Sequence, residues 1–138
     1  MSEEKAMARL LKAIENPYTT ILGHMAGRLL LSRHGFPLDY IKIIDVCAAN
    51  HVVIELNAHP RRLDMRWQWI QYALEKNVLI SIDPDAHSTE ESNNNRYGVF
   101  SAQKGMVTKE NNLSSFSLTE FEKFLADVRK KKLLSNQL

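Results

Sequence analysis

Leu79-Ile80-Ser81-Ile82-Asp83-Pro84-Asp85-Ala86-His87-Ser88-Thr89 decides the fold class of this chain: an apolar run stops at Asp-Pro and gives way to a carboxylate and an imidazole two residues apart. Proline donates no ladder hydrogen bond and biases the residue before it away from helix. The run therefore reads as a short buried strand, and the segment from Pro84 onward as a loop at its C-terminal end. Parallel α/β sheets place their chemistry at that end. Asp85 and His87 can turn toward a common point there, and a carboxylate oxygen beside an imidazole nitrogen suits zinc, manganese or iron. The same D-x-H spacing also occurs as a plain turn capped by aspartate.

Working outward, two further strands precede this one. Val52-Val53-Ile54-Glu55-Leu56-Asn57-Ala58 is a β-branched run closed by Pro60, and Thr19-Thr20-Ile21-Leu22-Gly23-His24 is a shorter run ending in a histidine. Helical spacing separates and flanks them. Glu3 to Ile14 carries Ala6, Leu10, Leu11 and Ile14 on one face and stops at Asn16-Pro17. Leu29 to Leu31 suggests a helical turn, Leu38 to Ala49 a helix, and a third helix starts near Asp64 and ends at Asn77. Helix and strand are hard to separate from Tyr97 to Lys104. Ser117-Leu118-Thr119-Glu120 is a capping box, and Phe121, Phe124, Leu125 and Val128 continue it as a terminal helix. Strand, helix, strand, helix, strand, helix predicts parallel βαβ units with crossover helices in a single domain. Three strands are few for a sheet that must cover its own edges, which points to a piece of something larger.

Composition excludes several classes. At 138 residues, 44% hydrophobic and 25% charged, the chain has the make-up of a globular protein, with no apolar stretch of membrane-spanning length. The opening Met1-Ser2-Glu3-Glu4-Lys5 lacks the basic and then apolar character of a secretory signal, so a cytoplasmic location is expected. The single cysteine, Cys47, builds neither a disulfide nor a cysteine zinc site and reads as a core residue. A net charge of +2 says little, but Lys123 and Arg129 to Lys132 make the C-terminus basic, either as a nucleic-acid contact or as a solvated helix end.

All three predicted strands end in polar residues, and in a parallel sheet those ends lie on one side. His24, Asp85 and His87 would give two nitrogen ligands and one oxygen ligand, leaving positions open for water and a substrate oxygen. Arg28 and Arg62 would hold a phosphate through charge-assisted hydrogen bonds. Bland readings stand beside these. By its spacing alone His24 reads more readily as a hydrogen-bonded structural residue than as a ligand, Asn57 as a substrate contact or a tie for the loop before Pro60, and alternation leaves the side of Glu55 open. His34, His51 and His59 fall at turns and read as surface residues. Trp67 and Trp69 lie on opposite sides of one helix, so at least one is core packing.

Four separated motifs occur in order: Asn16-Pro17-Tyr18-Thr19-Thr20-Ile21-Leu22-Gly23-His24, Gly27-Arg28-Leu29-Leu30, Glu55-Leu56-Asn57-Ala58 with Pro60, Arg62, Leu63 and Asp64, and Pro84-Asp85-Ala86-His87-Ser88-Thr89. Together, from about residue 6 to about residue 130, they resemble the C-terminal half of the PHP domain of bacterial family X DNA polymerases. That resemblance implies a partial, distorted (β/α)7 barrel, TIM-like in build, and a metal-dependent phosphoesterase using zinc, manganese or iron. It implies 3′-5′ exonuclease activity, DNA end processing and DNA repair in the parent polymerase. His24, Asp85 and His87 match the family's metal ligands, with Asp85 and His87 also the catalytic pair; Arg28, Asn57 and Arg62 match polar residues of the same cleft. The family's H-x-H motif and N-terminal half-barrel have no counterpart here. DNA or another phosphodiester is therefore the expected substrate, with completion by a missing half-barrel or by self-association. The isolated chain is expected to be weak or inactive, and a non-catalytic remnant that binds phosphate or nucleic acid is the alternative.

Overall fold

The computed structural model describes residues 2–135. Its elements run α1 (Glu3–Ile14), β1 (Ile21–Leu22), α2 (Tyr40–Ala49), β2 (Val53–Asn57), α3 (Trp67–Glu75), β3 (Ile80–Asp83), α4 (Asn95–Lys104) and α5 (Leu118–Ser135), with short 3₁₀ turns around α4. The strands form one three-stranded sheet in the order β1-β2-β3. Every pairing is parallel. The α/β reading and its parallel sheet are therefore present, as an open sheet and not a closed barrel.

Register gives the sheet two unlike faces. Ile54 pairs with Ile80 and Leu56 with Ile82, whereas Glu55 pairs with Ser81 and Asn57 with Asp83. Paired residues of parallel strands project to the same side. One side is thus aliphatic and the other carries two acids, an amide and a hydroxyl toward its C-terminal end. Ile54, Leu56, Ile80 and Ile82 join Ile43, Ile44 and Cys47 of α2 and Ile70 and Ala73 of α3 in one buried core. At roughly 25 cal/mol per Å² of apolar surface removed from water, this aliphatic layer is the main force holding the helices to the sheet. Burial also pushes the Cys47 thiol up to about 12, leaving it an inert core group.

The caps are those expected from sequence. Ser117 and Glu120 exchange the reciprocal capping-box bonds, with Ser117 N–H donating to Glu120 Oε2 at 2.7 Å and Glu120 N–H donating to Ser117 Oγ at 3.3 Å. Asp39 Oδ1 caps α2 by accepting the Lys42 N–H at 3.0 Å. Trp69 stacks on Tyr40 with ring centroids 5.1 Å apart, joining α3 to α2, while Trp67 stays on the surface beneath Lys104. The stretch from Tyr97 to Lys104 is helical. Gly98 lets it approach the sheet, since a Cβ there would lie 2.5 Å from the Ala58 Cβ.

Three local expectations differ from the structure. Leu29 to Leu31 is not helical: Leu29 and Arg33 pair as an isolated antiparallel bridge in an arm that folds back on Ala26. Helix α3 begins at Trp67 rather than near Asp64, because Asp64 and Met65 are buried in the loop before it. Lys132 is no solvated helix end; it is buried, and its amine donates to the Thr19 carbonyl beside β1.

The sheet's two edges are treated differently. On the outer side of β3, Ser114 Oγ accepts the Ile82 N–H at 2.8 Å and donates to the Ile82 carbonyl at 3.0 Å, so one hydroxyl takes the part of a neighbouring backbone. Ile80 also bridges Asn112. β1 is a two-residue edge strand with Ile21 exposed, short enough to limit edge-to-edge pairing.

Candidate functional site

The C-terminal ends of the three strands gather most of the residues singled out from sequence. His24 lies just beyond β1 with φ 28° and is exposed; its backbone N–H donates to Glu55 Oε2 at 2.6 Å. Glu55 therefore lies on the polar face of β2, directed at the β1 end. Burial is the largest influence on its carboxyl and raises its pKa; Asp83 nearby pushes the same way, while the His24 N–H opposes.

Asp85 lies just past β3 in the left-handed region, φ 53°, a conformation that aspartate tolerates through its short polar side chain. Its Oδ2 is 3.0 Å from Arg62 Nε. Burial pushes the Asp85 pKa up, but the Asn57 amide, the Arg62 guanidinium and the imidazoles of His87 and His24 together outweigh it and hold the carboxyl below its ordinary range. Both histidines thus belong to the electrostatic surroundings of this carboxylate. His87 is exposed on the next turn, its backbone N–H donating to Glu91 Oε2 at 2.6 Å and its Nδ1 lying 2.7 Å from the Asp85 carbonyl. A carbonyl only accepts, so Nδ1 carries the proton and the lone pair of the neutral ring is at Nε2.

Arg28 and Asn57 are engaged in the scaffold. The Arg28 guanidinium donates from Nε to the Arg62 carbonyl at 2.8 Å and from Nη2 to the Leu63 carbonyl, clamping the β2–α3 loop. Asn57 is fully buried; its Oδ1 accepts the His59 N–H at 3.1 Å and its amide reaches Glu55 Oε2 at 3.4 Å. It ties the loop before Pro60. Asp64 is a site residue that local reading missed. It is buried, and its Oδ2 accepts the N–H groups of Ala26 at 2.9 Å and Gly27 at 3.1 Å, fastening the turn after His24. Glu91 was missed too; a glutamate in a polar stretch gives no signal that it will hold the His87 backbone.

The donors His24, Asp85 and His87 are chemically apt for a transition metal. As arranged, however, no three His, Cys, Asp or Glu side chains among the described residues form a group that could hold an ion. Among the described residues these donors do not form a self-contained metal site.

No protein-family model matches the chain. It is 36% identical, over 123 residues, to the DNA polymerase/3′-5′ exonuclease PolX of Bacillus subtilis (strain 168). The chain is a relative of bacterial PolX. The match covers 89% of this chain and 22% of the PolX length. It spans the His24 turn, the Arg28 clamp and the Asp85 loop together, since 89% coverage leaves out only a small remainder of the sequence. The PolX relationship supports the PHP resemblance carried by the four motifs. Among the described residues, no helix is long and apolar enough to cross a membrane.

Proposed function

We propose that this chain is the C-terminal part of a PHP-type phosphoesterase region, acting on DNA or another phosphodiester in the cytoplasm, and that it supplies His24, Asp85 and His87 to a divalent-metal centre completed by donors outside it. The observation that carries this reading is the placing of a carboxylate, two imidazoles and Arg62 around one strand-end edge of a parallel sheet. The relationship to a protein named as a 3′-5′ exonuclease supports a substrate with a terminal phosphodiester.

Each side chain then has a task. His87 presents Nε2 outward because its Nδ1 is held by the Asp85 carbonyl, the arrangement by which an outer hydrogen bond fixes a ligating ring. Arg62 orients a phosphate oxygen when it exchanges Asp85 for substrate. Arg28 and Asn57 act one step back, keeping the Arg62 loop in place. A bound zinc, manganese or iron ion would lower the pKa of water and neutralise charge on the leaving oxygen.

A second reading is favoured by the Arg62–Asp85 pair itself, in which cation and anion satisfy each other: a non-catalytic remnant that binds phosphate or nucleic acid. Metal content, measured together with hydrolysis of bis-p-nitrophenyl phosphate in manganese, separates the two. Bound metal with turnover that His87→Ala abolishes supports the enzyme. DNA binding without metal or turnover supports the remnant, and a second copy or an added N-terminal half-barrel that restores turnover returns the case to the incomplete enzyme.

A further inference from the structure

Beside the strand ends, a cleft of about 520 Å³ opens between α1 and the arm that links β1 to α2. Its lining includes Arg9 and Leu10 from α1, His24 from the β1 turn, Arg33 and Phe36 from the arm, and Arg62 from the β2–α3 loop. Among the described residues, no carboxylate side chain belongs to the lining. The volume is in the range of small-ligand sites, and the lining combines apolar side chains with guanidinium groups.

The arm is held firmly. Leu29 N–H donates to the Arg33 carbonyl at 2.9 Å, Arg33 N–H to the Leu29 carbonyl at 2.8 Å, and Phe36 N–H to the Ala26 carbonyl at 2.8 Å. Arg33 Nη2 donates to the Gly27 carbonyl at 2.7 Å, which aims a guanidinium with five N–H donors while using one nitrogen. The Phe36 ring lies over Gly27, where a Cβ would stand 3.1 Å from Phe36 Cε2, and Gly27 has φ 58°. Glycine at this position admits both the backbone turn and the ring. Phe36 nevertheless remains 38% exposed, so a fixed aromatic surface faces the opening.

We propose that this cleft binds a nucleoside monophosphate unit, with its base against Phe36 and Leu10 and its phosphate between Arg33 and Arg62, the phosphate competing with Asp85 for the Arg62 guanidinium. An aromatic face is tolerant of base identity, and the planar fork of a guanidinium can donate two parallel hydrogen bonds to a pair of phosphate oxygens. The inference deepens the phosphodiester reading, with which it shares His24 and Arg62, but it requires neither metal nor hydrolysis.

The test is a calorimetric titration of the chain, without divalent metal, with deoxyadenosine 5′-monophosphate, deoxyadenosine and inorganic phosphate. The monophosphate is expected to bind at least about tenfold more tightly than phosphate, the order of effect of one base–aromatic stack. Phe36→Ala should remove that advantage while leaving phosphate affinity unchanged, Phe36→Trp should keep it, and Arg33→Met should weaken monophosphate and phosphate alike. Melting curves establish that each variant is folded. Equal affinity for monophosphate and phosphate, or a Phe36→Ala protein indistinguishable from the parent, overturns the cleft assignment. Selective binding leaves the cleft standing even if a second copy or an added N-terminal half-barrel restores no phosphodiester hydrolysis, an outcome that removes only the hydrolytic reading; restored hydrolysis without selective binding removes only the cleft.

Discussion

The Arg62 guanidinium meets the Asp85 carboxylate with Nε 3.0 Å from Oδ2, joining the loop after β2 to the loop after β3. A side chain suited to phosphate and a side chain suited to metal thus occupy each other. On the proposed reading, phosphate at Arg62 and metal at Asp85 each compete with this contact, so the two would be coupled through it.

Removing the cation should release the anion. Arg62→Met is expected to raise manganese affinity about fivefold, corresponding to roughly 1 kcal/mol for a partly exposed ion pair. Asp85→Asn, which keeps a residue at ease with positive φ, should abolish the gain. Calorimetry with manganese checks both, and an Arg62→Met protein with unchanged affinity would count against Asp85 as a donor. The Asp85 pKa is depressed, so the pair's stability contribution is full above the ordinary aspartate pKa and is lost as pH falls through the lowered folded value.

Asp64 should show the opposite pH behaviour. Burial raises its pKa, outweighing Arg28 and the N–H groups of Ala26 and Gly27. The folded state then holds its proton more tightly than the unfolded chain, so stability declines as pH rises from the ordinary aspartate pKa through the raised folded value. Asp64→Asn retains an acceptor without the charge and should flatten this decline. Asp64→Ala strands the buried Ala26 N–H and the part-buried Gly27 N–H and should cost about 1–3 kcal/mol in urea unfolding.

Gly98 sets how closely α4 approaches the sheet. A methyl group there would lie 2.5 Å from the Ala58 Cβ and 2.6 Å from Ile82 Cγ2. Gly98→Ala should destabilise the fold by about 1–3 kcal/mol through overpacking, although alanine is the better helix former by about 1 kcal/mol. A urea midpoint equal to or above that of the parent would show that α4 shifts without cost.

Ser114 guards the outer edge of β3. Ser114→Ala removes both hydrogen bonds to Ile82 and should cost about 1–2 kcal/mol. It should also leave the Ile82 backbone open to another chain, so sedimentation is expected to report more self-association at high concentration. A variant with the parent's stability and mass would assign edge protection elsewhere.

Much of the sheet was legible because its signals are local. The β-branched run from Val52, the stop at Asp83-Pro84 and the Ser117–Glu120 box each declare themselves within a few residues. The side of Glu55 was not legible, since alternation marks two faces without saying which meets the helices. Register with β3 settles it: Glu55 stands level with Ser81, and the aliphatic partners Ile54 and Ile80 take the helix side. Arg28 illustrates the other limit. A cation near a strand end suggests a ligand, yet its partners are the Arg62 and Leu63 carbonyls, more than thirty residues away and invisible to spacing.

By itself, the sequence determined the alternation of strand and helix and the delivery of His24, Asp85 and His87 to strand ends, because apolar period and proline punctuation act over neighbouring residues. Only the tertiary structure decided that Asp85 is held by Arg62, that Asp64 fastens the His24 turn, that Lys132 is buried at Thr19 and that Phe36 and Arg33 wall a cleft with α1. Those relationships join residues distant in sequence, and their formation depends on which apolar faces pack and in what register.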